Sequence, residues 1–225
     1  MGNETSSNSK NASEGGGKRN TSIKRQESMT KRKIFFQKNS QETFQLTVGE
    51  ARQLQRMYKE ERATRGQVHP GDVIFQAALM KLPKAREVYF DAQRSKGKAP
   101  DLSYHYGKMT DTFDYVVNHL EQPKQIETRL EELGRFHAQF ATNGFTDKYW
   151  KAIGDAFISS AMEFGHARQT EQQREAWCNI GIFIEQSLKN GYNQANPNRR
   201  GTLRNQSSAE RHMSLPLDTN TKAVA

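Results

Sequence analysis

Disulfide chemistry is out of reach for this chain, because its 225 residues include one cysteine, Cys178. A lone thiol excludes an intramolecular disulfide framework and makes a reducing interior compartment the expectation. Long apolar runs are missing as well. No stretch approaches the length of a membrane-spanning helix, and the opening MGNETSSNSK lacks the apolar core of a secretory signal. Alternating strand patterns are not evident. Neither HExxH, CxxC nor clustered carboxylates occur, which argues against zinc and di-iron sites. Apolar side chains are scarce overall, at 34% of the chain with mean hydropathy −0.94, too few for the whole length to form a core. The expectation is a soluble intracellular protein.

Acidic charge is also in short supply, with 25 Asp+Glu against 34 Lys+Arg and a net charge of +9. The excess is not spread evenly. Residues 1–41 hold nine basic and three acidic side chains, residues 193–225 five and two, and residues 42–192 twenty of each. A nucleic-acid-binding domain concentrates basic charge on a folded face, so a neutral middle segment leaves nucleic acid out as a partner.

The first 33 residues are rich in Ser, Asn, Gly and Lys, and residues 193–225 have the same character. Such segments bury too little surface to offset their ordering entropy. The expected organisation is a disordered basic extension over 1–41, one domain over 42–192 and a disordered tail over 193–225. Four prolines punctuate the middle, Pro70, Pro83, Pro100 and Pro123, each ahead of a stretch with helical periodicity. Thr47 with Glu50 reads as a capping box. Apolar stripes at spacings of three and four run through Leu102, His105, Met109, Phe113, Val116 and Leu120, and through Ile126, Leu130, Leu133, His137 and Phe140. Two more carry Trp150, Ile153, Phe157 and Phe164, and Trp177, Ile180, Ile184 and Leu188. The pattern predicts an all-α domain.

Two of those stripes contain a histidine where an apolar residue belongs. One such histidine is ordinarily a core residue with a hydrogen-bond partner. Two on consecutive stripes, His105 and His137, point instead to metal ligation, because neutral imidazole is the commonest protein metal ligand. An apolar pocket with one or two imidazoles is how haem iron is held. His119 lies 14 residues beyond His105, about 21 Å along a helix, too far to share one iron. His69, His166 and His212 fall in expected loops, helix ends or tails.

The segment HYGKMTDTFDYVVNHLEQPKQIETRLEELGRFH, residues 105–137, resembles the distal-to-proximal stretch of globins and is similar in spacing to neuroglobin-like members. LEELGRFH (130–137) resembles the proximal-histidine helix, WKAIGDAFISSAMEFG (150–165) the penultimate helix and EAWCNIGIFIEQSL (175–188) the last. Upstream, DVIFQAALMKLP (72–83) and REVYF (86–90) are similar to the second and third helices. The resemblance covers about 42–192 and implies an eight-helix globin sandwich around haem b. It implies His137 as proximal ligand and His105 as distal residue, either on the iron itself in a six-coordinate state or hydrogen-bonded to a diatomic ligand (O2, NO or CO). It places Met109 and Phe75 in the distal pocket, Lys108 near a haem propionate, Phe90 stacked on the porphyrin, and Ile153 and Phe157 against the haem. Counting from Pro83 puts Tyr89 at the usual offset, so Phe90 requires one inserted residue. The loop after His137 is about three residues longer than in neuroglobin.

Met1-Gly2-Asn3-Glu4-Thr5-Ser6 fits M-G-x-x-x-[ST], the N-myristoylation pattern, with Gly2 as acceptor. One acyl chain binds membranes marginally. Lys18-Arg19, Lys24-Arg25 and Lys31-Arg32-Lys33 supply a second, electrostatic signal toward an anionic leaflet. Ser28 follows Arg25 at a basophilic-kinase spacing, and phosphate there would oppose membrane binding. Acylated neuroglobin-like globins occur among nematodes, and this chain is similar to them. The resulting expectation is a membrane-tethered, non-enzymatic redox or oxygen sensor on the inner face of the plasma membrane, with an unknown redox partner. The alternatives are a soluble cytosolic protein, nitric oxide dioxygenase or peroxidase chemistry at the same haem, and a haem-free interaction module.

Overall fold

A computed structural model describes residues 28–38, 41–64, 66, 69–99, 101–164 and 169–196. Gly2, the basic pairs up to Arg25, His166 and His212 lie outside the described residues.

The fold opens with a hairpin. Strand β1 (Lys33–Gln37) pairs antiparallel with β2 (Thr43–Thr47), Lys33 opposite Thr47 and Gln37 opposite Thr43. Alternate residues Ile34, Phe36, Phe44 and Leu46 are buried, as the two-residue period of a one-sided strand requires. Phe36 stacks on Phe44 at 4.5 Å and meets Phe183 edge-on at 5.3 Å. The hairpin corrects two expectations, that strands are absent and that the N-terminal extension reaches residue 41. Its signal is only two buried apolar positions per strand, set among residues typical of the extension, and part of the surface that covers them, Phe183, comes from the other end of the domain. Phe36→Ala should therefore destabilise the folded domain by about 3 kcal/mol or more in a urea titration. A change near zero would mean that the hairpin is peripheral.

Seven α-helices and one 3-10 helix follow among the described residues. Helix α1 (Val48–Thr64) begins at the expected capping box: the Glu50 amide donates to Thr47 Oγ1 at 3.2 Å, and the Thr47 amide donates to Glu50 Oε2 at 2.6 Å. Helices α2 (Pro70–Lys81), α3 (Pro83–Arg94) and α5 (Pro123–His137) each carry proline in the first turn, where its missing N–H costs nothing. Helix α4 (Ser103–Asn118) lies between α3 and α5 in the chain. The 3-10 helix Ala138–Asn143 ends at Gly144 with φ of 89°, a left-handed turn that favours glycine. Helices α6 (Lys148–Ala161) and α7 (Glu171–Ala195) complete the fold.

Helix α2 packs on α4 and on α6, α6 on α7, and α7 most extensively on α5. The α5–α7 crossing is close because two glycines face backbone: a Cβ on Gly134 would overlap the Leu188 carbonyl, and one on Gly191 the Glu131 carbonyl. One continuous core includes Leu54, Ile74, Phe113, Leu130, Phe157 and Trp177. The all-α expectation holds with the hairpin added.

Candidate functional site

The apolar stripes of α4 and α5 converge on a cavity of about 280 Å³, near the lower end of the volumes that hold small organic molecules. His105 on α4 and His137 at the end of α5 both line it. Their ring centres are 6.2 Å apart, with planes at 85°.

The two imidazoles are prepared differently. His137 Nδ1 lies 2.8 Å from the Leu133 carbonyl oxygen, so its hydrogen sits on Nδ1 and the Nε2 lone pair is free. This backbone bond is the usual outer-shell arrangement of a ligating histidine. Phe136, Phe145 and Trp150 approach the ring at 5.4, 5.5 and 5.1 Å and keep water from that side. His105 has no hydrogen-bond partner among the described residues. Its ring is held by packing alone, against Phe75 at 4.5 Å and Tyr89 at 4.9 Å.

Burial, and then the neighbouring His137, push the His105 imidazole down to about 4. Burial also lowers His137, opposed by its bond to Leu133. Both rings are therefore neutral at pH 7, the form that binds metals. The sign of the linked stability follows. Below pH 6.5 the unfolded chain takes up a proton that folded His105 refuses until about pH 4. Stability of the cofactor-free protein is complete above that window and falls through it, by at most about 3 kcal/mol from His105. Urea midpoints between pH 7 and pH 4 should show the decline, and His105→Phe should flatten it. An equally steep decline in His105→Phe would assign it to other groups.

The donor set fits one metal ion. Two metal–imidazole bonds of about 2 Å, with about 1 Å from each nitrogen to its ring centre, span about 6 Å, and the rings stand 6.2 Å apart. A lining that is mostly apolar and aromatic suits a flat macrocycle around such an ion. Among the described residues no group of three His, Cys, Asp or Glu could hold a metal, so the site offers two facing imidazoles and no cage of protein ligands. His119 is turned away, with Nδ1 2.8 Å from the Tyr115 carbonyl, and His69 Nδ1 lies 3.2 Å from the Arg62 guanidinium.

Of the other residues expected here, Phe75, Met109 and Ile153 line the cavity. Phe90, Lys108 and Phe157 do not. On α3 the cavity-facing residues are Ala85, Val88, Tyr89 and Gln93, one helical face at spacings of three and four. Phe90 is rotated off it and lies under the Arg86 guanidinium at 5.3 Å. Tyr89, the residue that counting from Pro83 gives, lines the cavity, and Phe90 does not. Lys108 pairs with Asp111 at 3.3 Å, while Lys96 and Lys98 stand at the cavity mouth. Phe157 lies one turn beyond Ile153 and stacks on Phe113 at 5.1 Å, within the core. Sequence reasoning missed Phe145, although the three-residue lengthening after His137 marked its loop as unusual.

A family model described as Globin matches residues 73–185, just over half the chain. The Globin-related protein glb-13 of Caenorhabditis elegans is 26% identical over 150 residues, covering 65% of this chain and 52% of the relative. Globin-like protein 26 of the same organism is 26% identical over 95 residues, 41% of this chain and 51% of the relative. The chain thus spans about half the length of the curated relatives it matches. A crystal structure of a hexacoordinated heme protein from an anhydrobiotic tardigrade, at pH 4, aligns at a TM-score of 0.49 and 17% identity, covering 65% of this chain and 95% of that one.

Proposed function

The chain belongs to the globin family, and from that premise we propose that it binds haem b in the cavity between α4 and α5. His137 would hold the iron as the proximal ligand, and His105, which faces it across the cavity, would hold it as well when no gas is bound. The observation that carries this reading is the pair of neutral imidazoles 6.2 Å apart across an apolar cavity. When bound, haem supplies an iron that takes O2, NO or CO and exchanges single electrons between its ferrous and ferric states.

The chain's own residues shape that chemistry. His137 binds through Nε2 because Leu133 occupies its Nδ1 hydrogen. The aromatic side chains around it exclude water, which would otherwise promote oxidation. With His105 holding the iron, a gas would have to wait for that side chain to move, which would slow gas uptake and favour sensing or electron exchange over bulk carriage. Lys96 and Lys98 at the mouth suit the porphyrin carboxylates, the part expected of Lys108. The test is an absorption spectrum of the reduced, ligand-free protein. Sharp, split visible bands support two histidine ligands, one broad band removes His105 from the iron, and no Soret band removes haem altogether.

We further infer a tether at the cytoplasmic face of the plasma membrane. Gly2 provides the acylation site, and each basic residue near an anionic leaflet adds about 1 kcal/mol to the marginal binding of one myristoyl chain. A carrier that must diffuse gains nothing from such an anchor. The acylated full chain should partition onto phosphatidylserine vesicles about tenfold more strongly than Gly2→Ala; equal partition removes the tether. The role proposed is binding and electron exchange with an outside redox partner; dioxygenase or peroxidase cycling would need that partner to resupply electrons at every turnover.

A further inference from the structure

We propose that Gln93 is a positioning residue for His105, clasping the loop after α3 to the start of α4 and so setting how firmly His105 is held at its axial position. The proposal rests on the haem reading above.

No hydrogen bond from the described residues holds the His105 ring, so its place depends on where the first turn of α4 is anchored. That turn has little burial to anchor it: Ser103 and Tyr104 are exposed, as is every described residue from Arg94 to Ala99. Closer packing begins further along, where α2 meets α4 between Gly71 and Thr110. The turn is instead held by a chain of polar contacts. The Asp101 carboxylate accepts from the Ser103 amide at 2.8 Å and from its hydroxyl at 2.7 Å, which supplies a cap that Leu102 at the N-cap lacks. Asp101 is in turn gripped by Gln93 at both backbone groups. Its amide donates to Gln93 Oε1 at 2.8 Å, and its carbonyl accepts from Gln93 Nε2 at 2.7 Å.

A primary amide is the side chain that can do this. It offers one acceptor and two hydrogens in a plane, so it mimics a strand partner for Asp101. Gln93 Nε2 also donates to the Tyr89 hydroxyl at 3.2 Å, and the Tyr89 ring faces His105 at 4.9 Å. The contacts close a circuit: Tyr89 to Gln93, Gln93 to Asp101, Asp101 to Ser103, and by one half-turn of helix to His105, which returns to Tyr89. Cutting the circuit at Gln93, itself a lining residue, frees the loop and the first turn of α4 while leaving in place the Phe75 and Tyr89 rings that pack on His105. His105 then leaves its position more often.

The experiment uses the full chain. In the cofactor-free protein, Gln93→Leu should raise amide hydrogen exchange at Asp101 and Ser103 about tenfold without changing exchange at Val116 or Leu130. In the haem-loaded protein, the same variant should lower the six-coordinate fraction of the reduced spectrum. It should also speed CO binding, which waits on His105 release, about tenfold. Gln93→Glu, which keeps the acceptor for the Asp101 amide and loses both donors, should fall between Gln93→Leu and wild type; it carries the test if Gln93→Leu does not fold. Wild-type spectra and CO rates in the variants, with haem bound, overturn the positioning role and leave the haem reading intact. A five-coordinate wild type overturns it as well, since His105 is then not held at the iron. A wild type that takes up no haem overturns both.

Discussion

Purified His137→Ala protein is expected to take up haem at least about 100-fold more weakly than wild type and to show no stable Soret band. The bound is conservative, because loss of an outer-shell partner alone typically lowers metal affinity 10–100-fold, whereas this change removes the ligand. Phe136, Phe145 and Trp150 pack around the ring, and the imidazole that faces it, His105 at 6.2 Å, is already assigned to the opposite side of the cavity, so none of these neighbours replaces it. His105→Ala should behave differently. It should retain haem through His137, give a single broad visible band in the reduced state, and bind CO faster because nothing must first leave. The asymmetry follows from the Leu133 bond, which orients His137 and has no counterpart at His105. Haem titration followed by flash photolysis of the CO form checks both variants. Equal haem loss in the two would mean that neither ring is the dominant ligand, and a normal Soret band in His137→Ala would refute the assignment.

Gly191→Ala is expected to unfold the domain or cost about 3 kcal/mol or more, although alanine is ordinarily the better helix former by about 1 kcal/mol. The added methyl would sit inside the Glu131 carbonyl, and the facing Gly134 stands equally close to the Leu188 carbonyl. Overpacking against a movable side chain costs about 1–3 kcal/mol. Here both obstacles are backbone atoms of helices that pack along most of their length, so the crossing itself must widen. The damage should reach the site, because α5 carries His137 in its last turn. Gly107→Ala is the contrasting control: it is helical and exposed, with nothing within 4 Å of the added Cβ, and should raise stability by about 0.5–1 kcal/mol. Urea unfolding of the cofactor-free proteins measures both variants against wild type. A stabilised Gly191→Ala would show that the α5–α7 contact is slack.

Much of the helical framework was legible because its signals are local. Thr47 and Glu50 are three residues apart, and the capping box they form depends on nothing distant. Pro70, Pro83 and Pro123 open helices by their own ring geometry. His105 and His137 stood out because each interrupts an apolar stripe. The hairpin was less legible: Ile34 and Phe36 resemble the basic extension around them until Phe44 and Phe183 are brought against them. Phe90 was misplaced for a related reason. One residue of register turns a helix by about 100°, and only the angle at which α3 is set against the cavity separates Tyr89 from Phe90.

The sequence by itself therefore determined the helices, the neutral middle segment with its charged flanks, and the two imidazoles that meet across the cavity. These are properties of composition and of spacings within a few residues. Tertiary structure alone decided that the hairpin belongs to the folded unit, that Tyr89 faces His105, that Lys96 and Lys98 rather than Lys108 stand at the mouth, and that two helices cross on glycine. Each of those depends on how whole helices rotate and approach, which is set by the summed fit of many side chains in the core rather than by any short run of residues.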